Sequence, residues 1–231
     1  MKRNVVGLMA VVMALTPLAA HASKYEGSFE RDLKVTGPVE LMVKSPAGNI
    51  KISRGSDGNV HIHAKIDGSS DWWGGRDIAA EIREIEQNPP IRQEGNRITI
   101  GRDAHRTEHV GINYEIIVPQ DTRVSANAGA GTVDARDIKE ADLITGAGSV
   151  HAERIAGPVH VQTGAGSIHV SHIEGEVRAH TGTGSIDVND VKGDVTANTG
   201  VGDVITSRVT GHVNAHTGIG RVSTDRGVVN M

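Results

Sequence analysis

The groups best suited to chemistry in this sequence are its twelve histidines. His151, His169 and Asp187 follow one another at intervals of 18 residues. Gln162, His180, Asn198 and His216 form a second series at the same interval. His61 and His63 stand two apart. Imidazole nitrogens and carboxylate oxygens hold Zn2+ at about 2 Å, which makes His151, His169 and Asp187 candidate metal ligands. The plainer alternative is a solvated polar face rich in His, since no His-x-x-x-His or His-Glu-x-x-His motif marks a dedicated site. His180 and His216 are candidate partner contacts. So are Trp72 and Trp73, adjacent in Asp71-Trp72-Trp73-Gly74-Gly75, although tryptophans there also suit packing beneath a neighbouring helix.

Catalysis has thinner support. Polysaccharide cleavage needs paired carboxylates at a groove, usually with aromatic platforms. Asp187 and Asp190 flank one corner, but residues 146–231 contain no aromatic side chain. No nucleophile–base arrangement is visible. The expectation is a non-catalytic protein with no cofactor.

An interval of 18 implies a repeating element. Gly-x-Gly pairs fall at 146/148, 164/166, 182/184, 200/202 and 218/220, with a degenerate pair at 129/131, 17 residues upstream. Such self-similarity is the mark of a solenoid, in which each coil buries its apolar face on the next. Within a coil the apolar residues alternate: Ile168 and Val170, then Val177 and Ala179, with polar residues between. Period two means strands. Stacking turns each repeat position into a column with neighbours about 4.8 Å apart. One column reads Val150, Ile168, Ile186, Val204, Val222; others read Ile155, Ile173, Val191, Val209 and Val159, Val177, Val195, Val213. Val161, Ala179, Ala197 and Ala215 set a narrow interior. Thr145, Thr163, Thr181, Thr199 and Thr217 form a ladder whose hydroxyls are expected to hydrogen-bond along the column. Both glycines of each pair are expected to supply φ > 0 at a tight corner. A nucleotide loop is excluded, because no helix-opening Gly-x-Gly-x-x-Gly or Lys-Ser/Thr follows.

The fold class is therefore all-β: a single-stack β-solenoid of 18-residue coils, with an irregular β N-terminal half and one short helix. The divisions are 1–22, a signal peptide; 23–125, the irregular region with a helix at about 76–87; and 126–231, the solenoid. Strands are predicted over 39–43, 49–52, 60–64, 97–100 and 114–118. Ala47-Gly48-Asn49-Ile50-Lys51-Ile52 reads as a decayed repeat start. Ile78, Ile82 and Ile85 share one helical face, and Asn88-Pro89-Pro90 ends that helix.

Lys2 and Arg3, an apolar run from Val5 to Leu18 and Ala20-His21-Ala22 make up a secretory signal with cleavage after Ala22. Cleavage leaves 209 residues with 22 basic and 28 acidic groups. That balance disfavours nucleic acid, which requires a basic footprint. No second apolar run of membrane length follows. With no Cys, disulfides, thiol catalysis and a lipoprotein anchor are excluded. The destination is export, to the periplasm or the cell surface.

Several motifs carry a family resemblance: Ser45-Pro46-Ala47-Gly48-Asn49-Ile50, then Ile116-Ile117-Val118-Pro119 leading into Asp121-Thr122-Arg123-Val124, then the recurrent Thr-Gly-x-Gly-[Ser/Asp]-[Ile/Val]. Together they resemble the bacterial putative-adhesin family, an envelope domain of unknown function, over nearly the whole chain beyond residue 22. The resemblance implies a β-solenoid in the cell envelope and no known catalytic residues. The extended surfaces that stacked repeats make point to a structural or interaction role toward an envelope protein or glycan. The alternative is a metal- or glycan-binding envelope protein that uses the surface His columns.

Overall fold

The computed structural model describes residues 24–56, 58–69, 78–101, 110–225 and 228–229. The expected signal peptide, 1–22, and the candidate contacts Trp72 and Trp73 lie outside the described residues. The N-terminal elements are β1 (Lys24–Lys34), β2 (Val39–Ala47), β3 (Ile50–Arg54), β4 (Asn59–Ser69), α1 (Ile78–Gln87), β5 (Ile91–Glu94), β6 (Arg97–Gly101) and β7 (Val110–Val118). The coils follow as β8 (Thr122–Ala130), β9 (Val133–Arg136), β10 (Glu140–Ala147), β11 (Val150–Ile155), β12 (Val159–Ala165), β13 (Ile168–Ile173), β14 (Val177–Thr183) and β15 (Ile186–Val191). They end with β16 (Val195–Val201), β17 (Val204–Val209), β18 (Val213–Ile219), β19 (Val222–Thr224) and β20 (Val228–Val229).

These strands form two ten-stranded sheets facing one another across a single core. Sheet A runs β1-β4-β7-β3-β9-β11-β13-β15-β17-β19, and sheet B runs β20-β18-β16-β14-β12-β10-β8-β2-β6-β5. Each regular coil contributes one strand to each sheet, in parallel register at a step of 18: Val150 faces Ile168, and Val161 faces Ala179. Between β8 and β10 the step is 17, with Leu143 opposite Ala126. The residue lost lies in the turn after the first long strand pair: Lys139-Glu140 stands where the next coil has Ala156-Gly157-Pro158.

The columns read from sequence form the core. Ile155, Ile168, Ile173, Ile186, Val177 and Val204 are buried, as are Ala179, Ala197 and Ala215. Full burial of an aliphatic side chain contributes roughly 1.5–3 kcal/mol. Long columns of Val and Ile thereby supply the cohesion that aromatics provide in other cores.

Two expectations need correction. Only the second glycine of each pair has positive φ, from +136° at Gly131 to +150° at Gly220. The first glycine is required by contact alone: a Cβ on Gly182 would sit 2.6 Å from the carbonyl oxygen of Gly164. The threonines do not bond to one another. Thr181 Oγ1 donates to Gly166 O at 3.0 Å, and Thr163 and Thr199 reach Gly148 O and Gly184 O at 2.9 Å. Each threonine therefore ties its coil to the glycine corner of the coil before it.

The opposite corner uses a second device. Asp137, Arg154, His172, Asp190 and Arg208 have φ between 52° and 60°. A left-handed residue there shifts the alternation by one position, so Glu153 and Arg154 both face outward and Ile155 returns to the core. For Arg and His this conformation costs roughly 1–2 kcal/mol. Arg154 is held by a two-pronged contact to Asp137, Nε to Oδ1 at 2.6 Å and Nη2 to Oδ2 at 2.8 Å.

The N-terminal half continues the same stack out of chain order. β2 and β3 pair with β8 and β9, with Ala47 opposite Ala130 and Ile50 opposite Val133. Gly48 has φ +120° and donates its N–H to Ala130 O at 2.9 Å, the corner bond of the regular coils. The decayed repeat at 47–52 is therefore a coil. β6 and β7 lie beyond it, pairing with β2 and β3. The expected strands are all present and longer than predicted. β1 and β5, which add antiparallel edges, were not foreseen. In β1 the alternate positions Tyr25, Phe29 and Leu33 are at least partly buried, but Gly27 and the exposed Arg31 interrupt them, which hides the alternation. α1 begins at Ile78 among the described residues, and Ile78, Ile82 and Ile85 are buried. It seats on two glycines. A Cβ on Gly27 would lie 2.4 Å from Ile82 Cγ2, and one on Gly68 would lie 2.6 Å from Ile78 Cγ2. The helix thus covers the core side of the β1–β4 pair.

Candidate functional site

The predicted columns exist as spatial rows. His151, His169 and Asp187 stand on β11, β13 and β15 on the outer face of sheet A, in direct register. The His151 and His169 rings meet edge-on with centroids 6.1 Å apart, and His169 Nε2 lies 3.6 Å from Asp187 Oδ2. The row is a chain of neighbours. Among the described residues no three His, Asp or Glu side chains gather around one point as a metal site would require. His180 and His216 lie on the outer face of sheet B, on β14 and β18, with Asn198 between them. Both are exposed.

That same face of sheet B carries a groove the sequence reading missed. It is an open cavity of about 390 Å3 across β6, β2, β8, β10, β12 and β14. Met42, Ser125, Asp142, His160 and Arg178 belong to one outward row, at successive registered positions. Met42 is 41% exposed and supplies the apolar floor beside the short Ser125. The adjacent row Arg97, Glu40, Arg123, Glu140 alternates in charge and forms a wall. Arg97 Nη2 lies 2.7 Å from Glu40 Oε2, and Arg123 Nε lies 3.0 Å from Glu140 Oε1. The Glu40 carboxylate raises the Arg97 pKa, mainly through their hydrogen bond. Arg178 is held by Glu176 at 2.6 Å.

Asp142 stands apart from these pairs. Its Oδ1 is shielded from solvent and has no hydrogen-bond partner. A buried polar atom normally has one, so this oxygen is an acceptor in want of a donor, at the edge of an apolar floor. No motif in the sequence announces the groove, because its residues come from six strands spread between positions 40 and 178. The one available signal was Met42, an unbranched apolar residue at an outward position of β2.

A further hollow of about 630 Å3 lies along Val35, Pro38, Pro119 and Lys139, where coil turns meet the β1–β2 loop. Its charged groups, Lys139 and Asp121, are paired with one another.

Solved structures similar to this chain include the following two. A putative cell adhesion protein from Clostridium sporogenes aligns with 86% of this chain and 99% of its own, at 13% identity and a TM-score of 0.45. A putative adhesin from Bacteroides fragilis aligns with 88% of this chain and 95% of its own, at 15% identity and a TM-score of 0.36. No family model matches the sequence. No curated protein matches it.

Proposed function

We propose that this chain is a non-catalytic interaction module of the cell envelope, exported by its N-terminal signal, and that it engages a protein partner through the outer face of sheet B. The observation that carries this reading is the groove at Met42 and Asp142. An apolar floor ringed by charged pairs has the anatomy of a protein-binding patch, with a dry centre and a polar rim. The Asp142 carboxylate stands at the edge of that floor and adds a negative group to its rim. His180 and His216 extend the same face toward the C-terminal coils. Among the described residues this face has no aromatic platform, which favours a polypeptide over a glycan. The groove's arginines are tied to carboxylates, which supports a binding role over catalysis. No helix of the described residues is long and apolar enough to cross a membrane.

The reading is tested by capture from envelope extract with the wild-type chain, with Met42→Glu, with Asp142→Ala, and with His169→Ala as a control on the opposite sheet. The expected result is one captured protein lost with Met42→Glu and weakened at least severalfold with Asp142→Ala, while His169→Ala retains it. Equal capture by all four chains contradicts the assignment.

A further inference from the structure

The outer face of sheet A carries a second imidazole pair at its N-terminal end, far from the 151–187 row in the strand order. His61 and His63 stand two apart on β4 and so project from one face, at Cα positions about 6.5–7 Å apart. The antiparallel partner β1 places Asp32 opposite His61 and Glu30 opposite His63. His61 Nδ1 lies 2.8 Å from Asp32 Oδ1, and His63 Nδ1 lies 3.1 Å from Glu30 Oε1. An ionised carboxylate only accepts hydrogen bonds, so each ring carries a proton on Nδ1, and in the neutral imidazole the Nε2 lone pair is free. A carboxylate on the far nitrogen is how proteins orient a metal-ligating histidine and raise its basicity. Here both rings have one.

The surroundings favour a cation. β7 places Glu115 opposite His63. The Glu115 carboxyl is held below its usual range, first by its hydrogen bond to Lys51 and then by that group's charge. Glu30, Asp32 and Glu115 thus outnumber Lys51 and Lys65 around the pair. The rings are reachable, with 36% of the His61 side chain and 29% of the His63 side chain exposed. The 151–187 row differs in how its rings are held. There His169 turns Nε2 toward Asp187, and His151 has only a ring neighbour.

We propose that His61 and His63 chelate one divalent transition ion, Zn2+ or Cu2+, through their Nε2 atoms. Asp32 and Glu30 act as orienting carboxylates. Imidazole suits these ions. With no preformed three-ligand cage among the described residues, water completes the coordination and the ion exchanges readily. The site is on the opposite sheet from the proposed partner face and does not depend on it.

The test is a Zn2+ titration of the protein without a polyhistidine tag, read by calorimetry and by imidazole nitrogen resonances, with circular dichroism confirming that each variant is folded. The expected result is saturable binding with shifts confined to His61 and His63. His61→Ala and His63→Ala should each weaken binding at least tenfold. Asp32→Asn should weaken it by about 10- to 100-fold, as loss of an orienting partner does. His151→Ala and His169→Ala should leave it unchanged. The proposal is overturned if neither ring responds up to millimolar zinc, or if binding survives His61→Ala and His63→Ala and is lost with His169→Ala.

Discussion

At the scale of single residues, the threonines separate a side chain that holds the fold from one that merely occupies it. Thr181 is buried and donates to Gly166 O at 3.0 Å. Thr206 is equally buried, in the inner column of Ala152, Val170 and Val188, and its hydroxyl has no partner. Removing a hydroxyl that bonds leaves an orphaned carbonyl, at a cost of about 1–3 kcal/mol, whereas removing an unsatisfied one relieves a desolvation penalty. Thr181→Val should therefore lower stability by about 1–2 kcal/mol in denaturant unfolding. Thr206→Val should leave it unchanged or raise it; an equal loss at both sites would show that the hydroxyl contact is not what distinguishes them. The candidate site was legible only in part at this scale. His180 and His216 could be placed on a common outer row from their spacing. Met42 could not, because β2 joins the stack 83 positions away from β8 in sequence, at Ala47 opposite Ala130.

At the scale of elements, the coil corner explains why Gly-x-Gly recurs so strictly. The second glycine needs both its left-handed backbone and the absence of a Cβ, as at Gly184, where a Cβ would meet Gly166 O at 2.1 Å. The first glycine is required only by the close approach of the coil before it, as at Gly182 against Gly164 O. Gly182→Ala adds one methyl against backbone that cannot move without parting two coils, so it should destabilise by about 1–3 kcal/mol, the range for overpacking. A Gly182→Ala chain as stable as wild type in thermal unfolding would mean that the coils are not in contact there. Strand type, spacing and interior columns were all legible because stacking forces one residue type into each buried position. What lay hidden was geometry that composition does not record: which glycine turns, where each threonine donates, and that Asp137, Arg154 and His172 reset the alternation in a left-handed conformation. β1 was hidden for another reason. An edge strand buries only part of one face, and Gly27 is small so that α1 can sit on it.

At the scale of the whole molecule, the charges run as ladders along the outer rows, and their behaviour with pH follows from the direction of their shifts. The carboxyl of Asp137 is lowered by its hydrogen bond to Arg154, and that of Glu174 by Lys192. Asp194 is lowered by the backbone N–H of His212. A folded pKa below the unfolded value of about 4 means that the stabilisation is present above that value. It is lost as pH falls through the folded pKa. The melting temperature should therefore change little on account of these groups between pH 5 and 8 and fall below about pH 4. Asp137→Asn should flatten part of that acid limb; a melting temperature that rises on acidification would contradict the ladder. Because these pairs are exposed, high salt should weaken them.

The interior thus holds the stack upright, and the outer rows are left free to differ between the two sheets. Under the proposed function, recognition belongs to sheet B, around Met42 and Asp142. The most direct measurement is photo-crosslinking in intact envelopes, with a crosslinking residue placed singly at Met42, His180 and His216 on sheet B and at His151, His169 and Ser207 on sheet A. The account predicts that the three sheet-B positions trap one common protein and the sheet-A positions do not. Trapping of that protein from sheet A, with none from sheet B, would contradict it.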